Sequence, residues 1–200
     1  MPKASVPVWQ LFQGCYNPAY EEEIEKAKDK CYRYNQLHPN DREGQRRMLA
    51  ELLGSMGEGV TIVPPFWCDY GYNISVGNMF YANHNLVITD GAHVTFGDNV
   101  FIGPNVCFTT AEHPLDPQQR RQGLEIAAPI TVGNNVWIGA GAVVLAGASI
   151  GDNSVIGAGS VVKKAIPSGV VAAGVPCRVL REIGEEEKYR YPMWQGGEKK

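Results

Sequence analysis

Four histidines occur in the chain, His38, His84, His93 and His113, and the last stands apart by its surroundings. His113 lies in "TTAEHPLDPQQRRQGLEIAAP", residues 109–129, a polar, proline-bearing stretch without periodicity. An imidazole changes charge near neutral pH, so a histidine held in a functional loop is suited to moving protons. Loops carried by a rigid scaffold are where catalytic groups concentrate. His113 is therefore the candidate catalytic residue. The cysteines form no comparable pattern. Cys15, Cys31, Cys68, Cys107 and Cys177 are odd in number and contain no C-x-x-C pair. Their spacing indicates neither a disulfide framework nor a zinc site. Five reduced thiols fit the cytosol.

The 109–129 stretch is an interruption because of the order on either side of it. In "VGNNVWIGAGAVVLAGASIGDNSVIGAGSVV" an aliphatic residue recurs every six: Val132, Ile138, Val144, Ile150, Ile156 and Val162. Upstream, Val76, Ala82, Ile88 and Val94 hold the same period, and so do Phe96, Ile102 and Phe108, with a slip between 94 and 96. A six-residue period fits neither an α-helix nor a plain amphipathic strand. It fits a parallel β-helix, a prism whose coils each have three short faces. The aliphatic residue points inward and stacks on its equivalent about 4.8 Å away in the next coil. Gly and Asn take the tight corners. At eighteen residues per coil, 74–108 and 130–167 supply roughly four turns.

Residues 17–56 read differently. Asn17 is a helix N-cap with Pro18 at the first helical position and acids in the early turns. Ile24, Ala27, Cys31 and Tyr34 form an apolar stripe at helical spacing. "HPN" breaks that helix, and a second runs from about Asp41 through Met56 to stop near Gly57. The expected organisation is a helical segment at 1–59, a β-helix at 60–183 carrying the loop 109–129, and a tail at 184–200, a surface helix or a disordered end. Lys+Arg number 18 against 21 Asp+Glu, for a net charge of −3 without a basic block, which disfavours nucleic-acid binding. No signal peptide and no run of about 18 apolar residues is visible, so no membrane partner is expected and the protein should be soluble and cytoplasmic.

The stretches "GNMFYANHNLVITD", "IGPNVCFTTAEHP", "APITVGNNVWIGAGAVVLAGASIGDNSVIGAGSVV" and "VVAAGVPCRVLREI" resemble the maltose and galactoside O-acetyltransferases, hexapeptide-repeat acyltransferases with a left-handed β-helix. The helical segment ending in "VPPFWCDYGYNISVG" resembles the one that precedes the prism in that family. The resemblance covers nearly the whole chain. It implies direct transfer of acetyl from acetyl-CoA to a sugar hydroxyl, with no metal. His113, in the family's T-x-x-H-P segment, would be the general base. Asn83 would bind the attacking hydroxyl or steady the oxyanion. Asp69 would contact the acceptor, and Glu125 would orient His113 or touch sugar. On the cofactor side, Trp137 would lie along pantetheine and the backbone at Ala140 and Ala158 would bond its amides. Lys163, Arg178 and Arg181 would meet the phosphates. The family pattern also implies a homotrimer with sites between subunits.

Departures fall mainly on the acceptor side. Gly91 stands where the galactoside enzymes have an acceptor-contacting Asp, and His84 and His93 have no family role. Asp90 reads as a turn residue. Two alternatives stay open: an acetyltransferase of this fold acting on an antibiotic or amino-acid hydroxyl, and a non-catalytic hexapeptide scaffold.

Overall fold

The computed structural model describes residues 8–192, so the last residues of the expected tail, 193–200, lie outside the described part. Helix α1 (Pro18–Asn35) opens on Asn17, whose side-chain oxygen accepts from the Ala19 N–H at 3.2 Å, and buries Ala27, Cys31 and Tyr34. Helix α2 (Arg42–Leu52) opens on Asp41. It ends at Leu52, short of the expected stop near Gly57, because Leu53 is already extended (φ −80°, ψ 151°) and Ser55–Met56 is a strand.

From Ser55 the chain winds into a parallel prism. Its first face is built by Ser55–Met56, Ile74–Val76, Val94–Phe96, Ile130–Val132 and Ser149–Ile150. The second is built by Thr61–Ile62, Tyr81–Ala82, Phe101–Ile102, Trp137–Ile138, Val155–Ile156 and Val170–Ala173. The third comprises Phe66–Cys68, Leu86–Thr89, Cys107–Thr109, Val143–Val144 and Val161–Val162. There are thus five complete coils and a partial sixth, more than the expected four, since the 55–68 coil precedes the legible repeat.

The stacking follows the period. Ile138 pairs in register with Ile102 below and Ile156 above, and all three are buried. The slip between 94 and 96 has a simple origin. Val94 and Phe96 sit two apart on one three-residue strand, so both point inward. Phe96 then stacks edge-on with Phe80 and Phe108, ring centroids 5.0 Å apart in each pair.

The corners between first and second faces place Asn99, Asn135 and Asn153 at φ between 55° and 58°. Asparagine tolerates this left-handed conformation best among residues with a Cβ. Asn135 donates to Asn153 at 2.9 Å, so the corners are laddered as well.

Both ends are closed. The helices pack Tyr34, Leu49, Leu52 and Leu53 into the same core as Ile62 and Phe66, and the Tyr34 hydroxyl donates to the Ile62 carbonyl. At the other end Arg178–Glu182 turns back antiparallel on Val170–Ala173, followed by a 3₁₀ turn at Glu185–Tyr189. No described helix is long and apolar enough to cross a membrane.

Candidate active site

The expected aperiodic loop is an organised ribbon. After Thr109 the chain leaves the edge between third and first faces and forms Ala111–Glu112, a short helix Pro117–Arg121 and the strand Leu124–Ala127. Leu124–Ala127 pairs antiparallel with Ala111–Glu112 on one side and with Phe12–Gln13, from the start of the chain, on the other. The exit point is fixed by the buried Thr110, whose hydroxyl donates to the Thr89 carbonyl at 2.8 Å and accepts from the Ala92 N–H at 2.9 Å. Arg120 holds the bend after His113 by donating to the Pro114 and Leu115 carbonyls at 2.9 and 2.6 Å.

His113 stands exposed on this ribbon, its Nδ1 3.5 Å from the Leu124 carbonyl oxygen. An Nδ1–H directed there leaves Nε2 with its lone pair. The pairing of Phe12 with Glu125 brings Cys15 and Glu125 beside the imidazole. One ligand atom from each of Cys15, His113 and Glu125 lies within 4.8 Å of the other two. The Cys15 thiol donates to Glu125 Oε1 at 3.3 Å. Burial first, then that carboxylate, pushes the thiol above its ordinary pKa. Gly14 makes room for the carboxylate: a Cβ on Gly14 would fall 2.2 Å from Glu125 Oε2.

Beside this group opens a cleft of about 310 Å³ lined by Phe12, Cys15, Asp69, Tyr70, Gly91 and Glu125. A Cβ at 91 would meet nothing nearer than 3.6 Å, so Gly91 leaves this wall open. Burial pushes the Asp69 carboxyl up to about 6, and the nearby Asp90 charge adds to the effect. Asp90 sits at a corner, as expected, but it is fully buried. Its Oδ1 accepts from the Asp69 and Tyr70 N–H groups at 3.0 and 2.9 Å, fixing the backbone that presents Asp69. Its Oδ2 is buried without a hydrogen-bond partner among the described residues, and desolvation raises this carboxyl too.

The remaining expected site residues lie elsewhere. Asn83 begins the corner between second and third faces, and its Oδ1 accepts from the His84 N–H at 2.8 Å. Ala140 and Ala158 occupy the same corner in later coils, and the Ala140 carbonyl accepts from the Gly159 N–H. A line of backbone bonds joins the successive corners: Asn83 to Ile102, Gly103 to Ile138, Gly139 to Ile156 and Gly157 to Ala172. Four strand spacings make this column about 19 Å long. Arg178, exposed, sits at its far end opposite Ala173. Trp137 is 56% exposed on the adjoining second face, above Phe101.

Lys163 is not on this column. It is exposed at the third–first edge, the edge that carries the ribbon. Arg181 forms an ion pair with Glu187 at 2.6 Å and is thereby engaged within the chain. His84 is turned to the Pro64 carbonyl, 2.6 Å from Nδ1, and His93 is exposed; neither lines the cleft.

The chain thus gathers His113, Glu125 and Asp69 at one edge of the prism and Asn83, Ala140, Ala158 and Arg178 at another. Sequence reading missed Cys15, Gly14 and Tyr70. Nothing local marks Gly14 and Cys15, since they arrive through a strand pairing more than a hundred residues apart in the chain, while Tyr70 follows Asp69 at its prism corner.

Comparison with known proteins agrees with this architecture. Residues 129–164 match the bacterial transferase hexapeptide (six repeats) family, and residues 10–57 match the maltose acetyltransferase hexapeptide capping motif. The chain is 48% identical to the galactoside O-acetyltransferase of Escherichia coli over 166 residues, covering 83% of this chain and 82% of that protein. A solved galactoside acetyltransferase in complex with coenzyme A superposes with a TM-score of 0.88 at 45% identity, covering 92% of each chain. A maltose O-acetyltransferase from Clostridium difficile superposes with a TM-score of 0.83 at 43% identity, covering 84% of this chain and 90% of that one. The prism is accordingly left-handed, and the chain belongs to the maltose and galactoside O-acetyltransferase family of hexapeptide-repeat acyltransferases.

Proposed function

We propose that the protein transfers acetyl from acetyl-CoA directly to a sugar hydroxyl, with His113 as general base, at sites completed between subunits of a homotrimer. The observation that carries this reading is the separation of two edges. The imidazole and Asp69 belong to one edge, while Asn83 and the corner column belong to the next, with the third face between them. A second copy, packed edge to edge, would bring its column to the first copy's ribbon. Closed threefold symmetry repeats that contact three times and leaves none unsatisfied.

The column suits a long thin cofactor, with Arg178 and the facing copy's Lys163 at the phosphate end and Trp137 alongside the arm. Arg181 would join them by exchanging Glu187 for phosphate. As the sugar oxygen attacks the thioester carbonyl, His113 takes its proton. The C–S bond then breaks, and the departing thiolate recovers a proton from the imidazolium. Asn83 holds the hydroxyl or the developing oxyanion. Asp69 and Glu125 contact the sugar across the cleft that Gly91 leaves open. The relatives named above act on galactoside and maltose, which supports a saccharide acceptor.

The test is acetyl-sugar formation across a panel of glucosides, galactosides and disaccharides, with wild type and His113→Ala. Turnover of a sugar, with a loss of about 10²–10⁴ in the variant, is the expected result. Equal rates would remove His113 from the mechanism. If only antibiotic or amino-acid hydroxyls react, the acceptor class changes. The edge-to-edge site has its own measurement. His113→Ala and Asn83→Ala are each expected to be nearly inactive, and re-forming mixed trimers from them should restore part of the activity. No recovery would place both residues in one subunit's site.

A further inference from the structure

We infer that Cys15, His113 and Glu125 form a binding site for a thiophilic divalent cation of the zinc class, and that its occupation switches the enzyme off. Three features point to it. The donor set of one sulfur, one imidazole nitrogen and one carboxylate oxygen is the kind zinc selects. The ligand atoms lie within 4.8 Å of one another, so small side-chain rotations bring them around one centre. Three protein ligands also leave the fourth tetrahedral position for water.

The site is reachable from solvent and backed by structure. His113 is exposed, while Cys15 and Glu125 are half-buried. The carboxylate is already seated over Gly14 and already accepts from the thiol. Binding replaces the thiol proton with the metal. The S–H bond breaks, one proton leaves to solvent, and sulfur, nitrogen and oxygen each donate a pair to the cation with no change of oxidation state. Occupation takes the lone pair that the proposed general base needs. The loss of turnover therefore rests on the reading of His113 given above, whereas binding itself does not.

The two are separated by experiment. Cobalt(II) added to the metal-free, full-length protein should give a thiolate-to-cobalt charge-transfer band at one metal per chain, displaced by zinc. Cys15→Ala should abolish the band. Gly14→Ala should weaken binding by about 10–100-fold, as loss of a supporting contact does. Its new methyl group pushes only the flexible end of Glu125 and needs no unusual backbone. Acetyl-sugar formation, read by mass spectrometry so that zinc on the product thiol does not interfere, should fall at least tenfold in zinc and recover with chelator. The residual rate of Cys15→Ala should be insensitive to zinc. Absence of the band, or a band that persists in Cys15→Ala, overturns the site. Binding at full occupancy with an unchanged rate overturns the switch, and His113→Ala, if it leaves the band unchanged, removes the imidazole from the ligand set.

Discussion

The prism and the ribbon that leaves it are built from opposite kinds of contact. In the prism each strand is two to four residues long, and its partner is one coil away. The same few residue types therefore solve the same packing problem again and again. In the ribbon, Leu124–Ala127 is held by a neighbour from the same excursion and by Phe12–Gln13 from the far end of the chain. The prism is periodic, and its inward side chains are almost all apolar and buried. The ribbon is aperiodic, half-exposed and carries the imidazole, thiol and carboxylate. Rigidity comes from repetition, and the imidazole is placed where repetition stops.

Substitutions on the two sides should separate cleanly. His113→Ala is expected to cost about 10²–10⁴ in turnover while leaving the thermal midpoint and far-UV circular dichroism unchanged. A large drop in midpoint would mean that the ribbon also holds the prism together. Ile138→Ala should do the reverse. The side chain is fully buried between Ile102 and Ile156, and its truncation should cost about 2–5 kcal/mol in denaturant unfolding, with the rate per folded molecule retained. A cost below about 1 kcal/mol would show that the stack relaxes around the gap.

Asp69 sharpens the boundary itself, since it belongs to the prism and faces the cleft. Its carboxyl is raised to about 6 in the fold, above the roughly 3.9 of an unfolded Asp. Ionising it therefore costs stability as pH rises through about 6, and the penalty is absent below about 4. Asp69→Asn should stabilise the protein at pH 8 by up to about 3 kcal/mol, with the gain fading between pH 6 and pH 4. A gain that does not depend on pH would assign the effect to something other than the charge.

Much of this architecture is legible in the sequence. Val132, Ile138, Val144, Ile150, Ile156 and Val162, all buried, are readable from spacing, because a strand coil imposes its period directly on residue type. The N-cap Asn17 is readable for a similar reason, since the side chain that caps is adjacent to the backbone it satisfies. The overrun of α2 has a physical cause. Leu53 and Met56 continue the helical spacing, but the turn at Gly54 and the pairing of Ser55–Met56 with Ser75–Val76 override it.

The first coil escaped because its strands are interrupted by Pro64-Pro65 and Asp69-Tyr70-Gly71, which mask the six-residue rhythm. Asp90 showed only half its character, since a turn position is visible in sequence and complete burial is not. Within the site, His113 could be singled out by the break in the repeat. Its neighbours Cys15 and Gly14 could not, because the pairing that delivers them leaves no local signature.

One feature at the ends of the molecule sets its size. A stack of identical coils has no intrinsic length; each new layer offers the next the same open backbone, much as a crystal face offers itself to solution. Growth is stopped here from both directions, by α1 and α2 under the first coil and by Arg178–Glu182 running backwards over the last. Unpaired parallel edges are templates for further strands, including strands from other molecules. The reversal at Arg178 removes that template from the second face and turns a polymerising motif into an object of fixed dimensions. The number of coils, and with it the reach of the corner column, is thus written in the terminators rather than in the repeat.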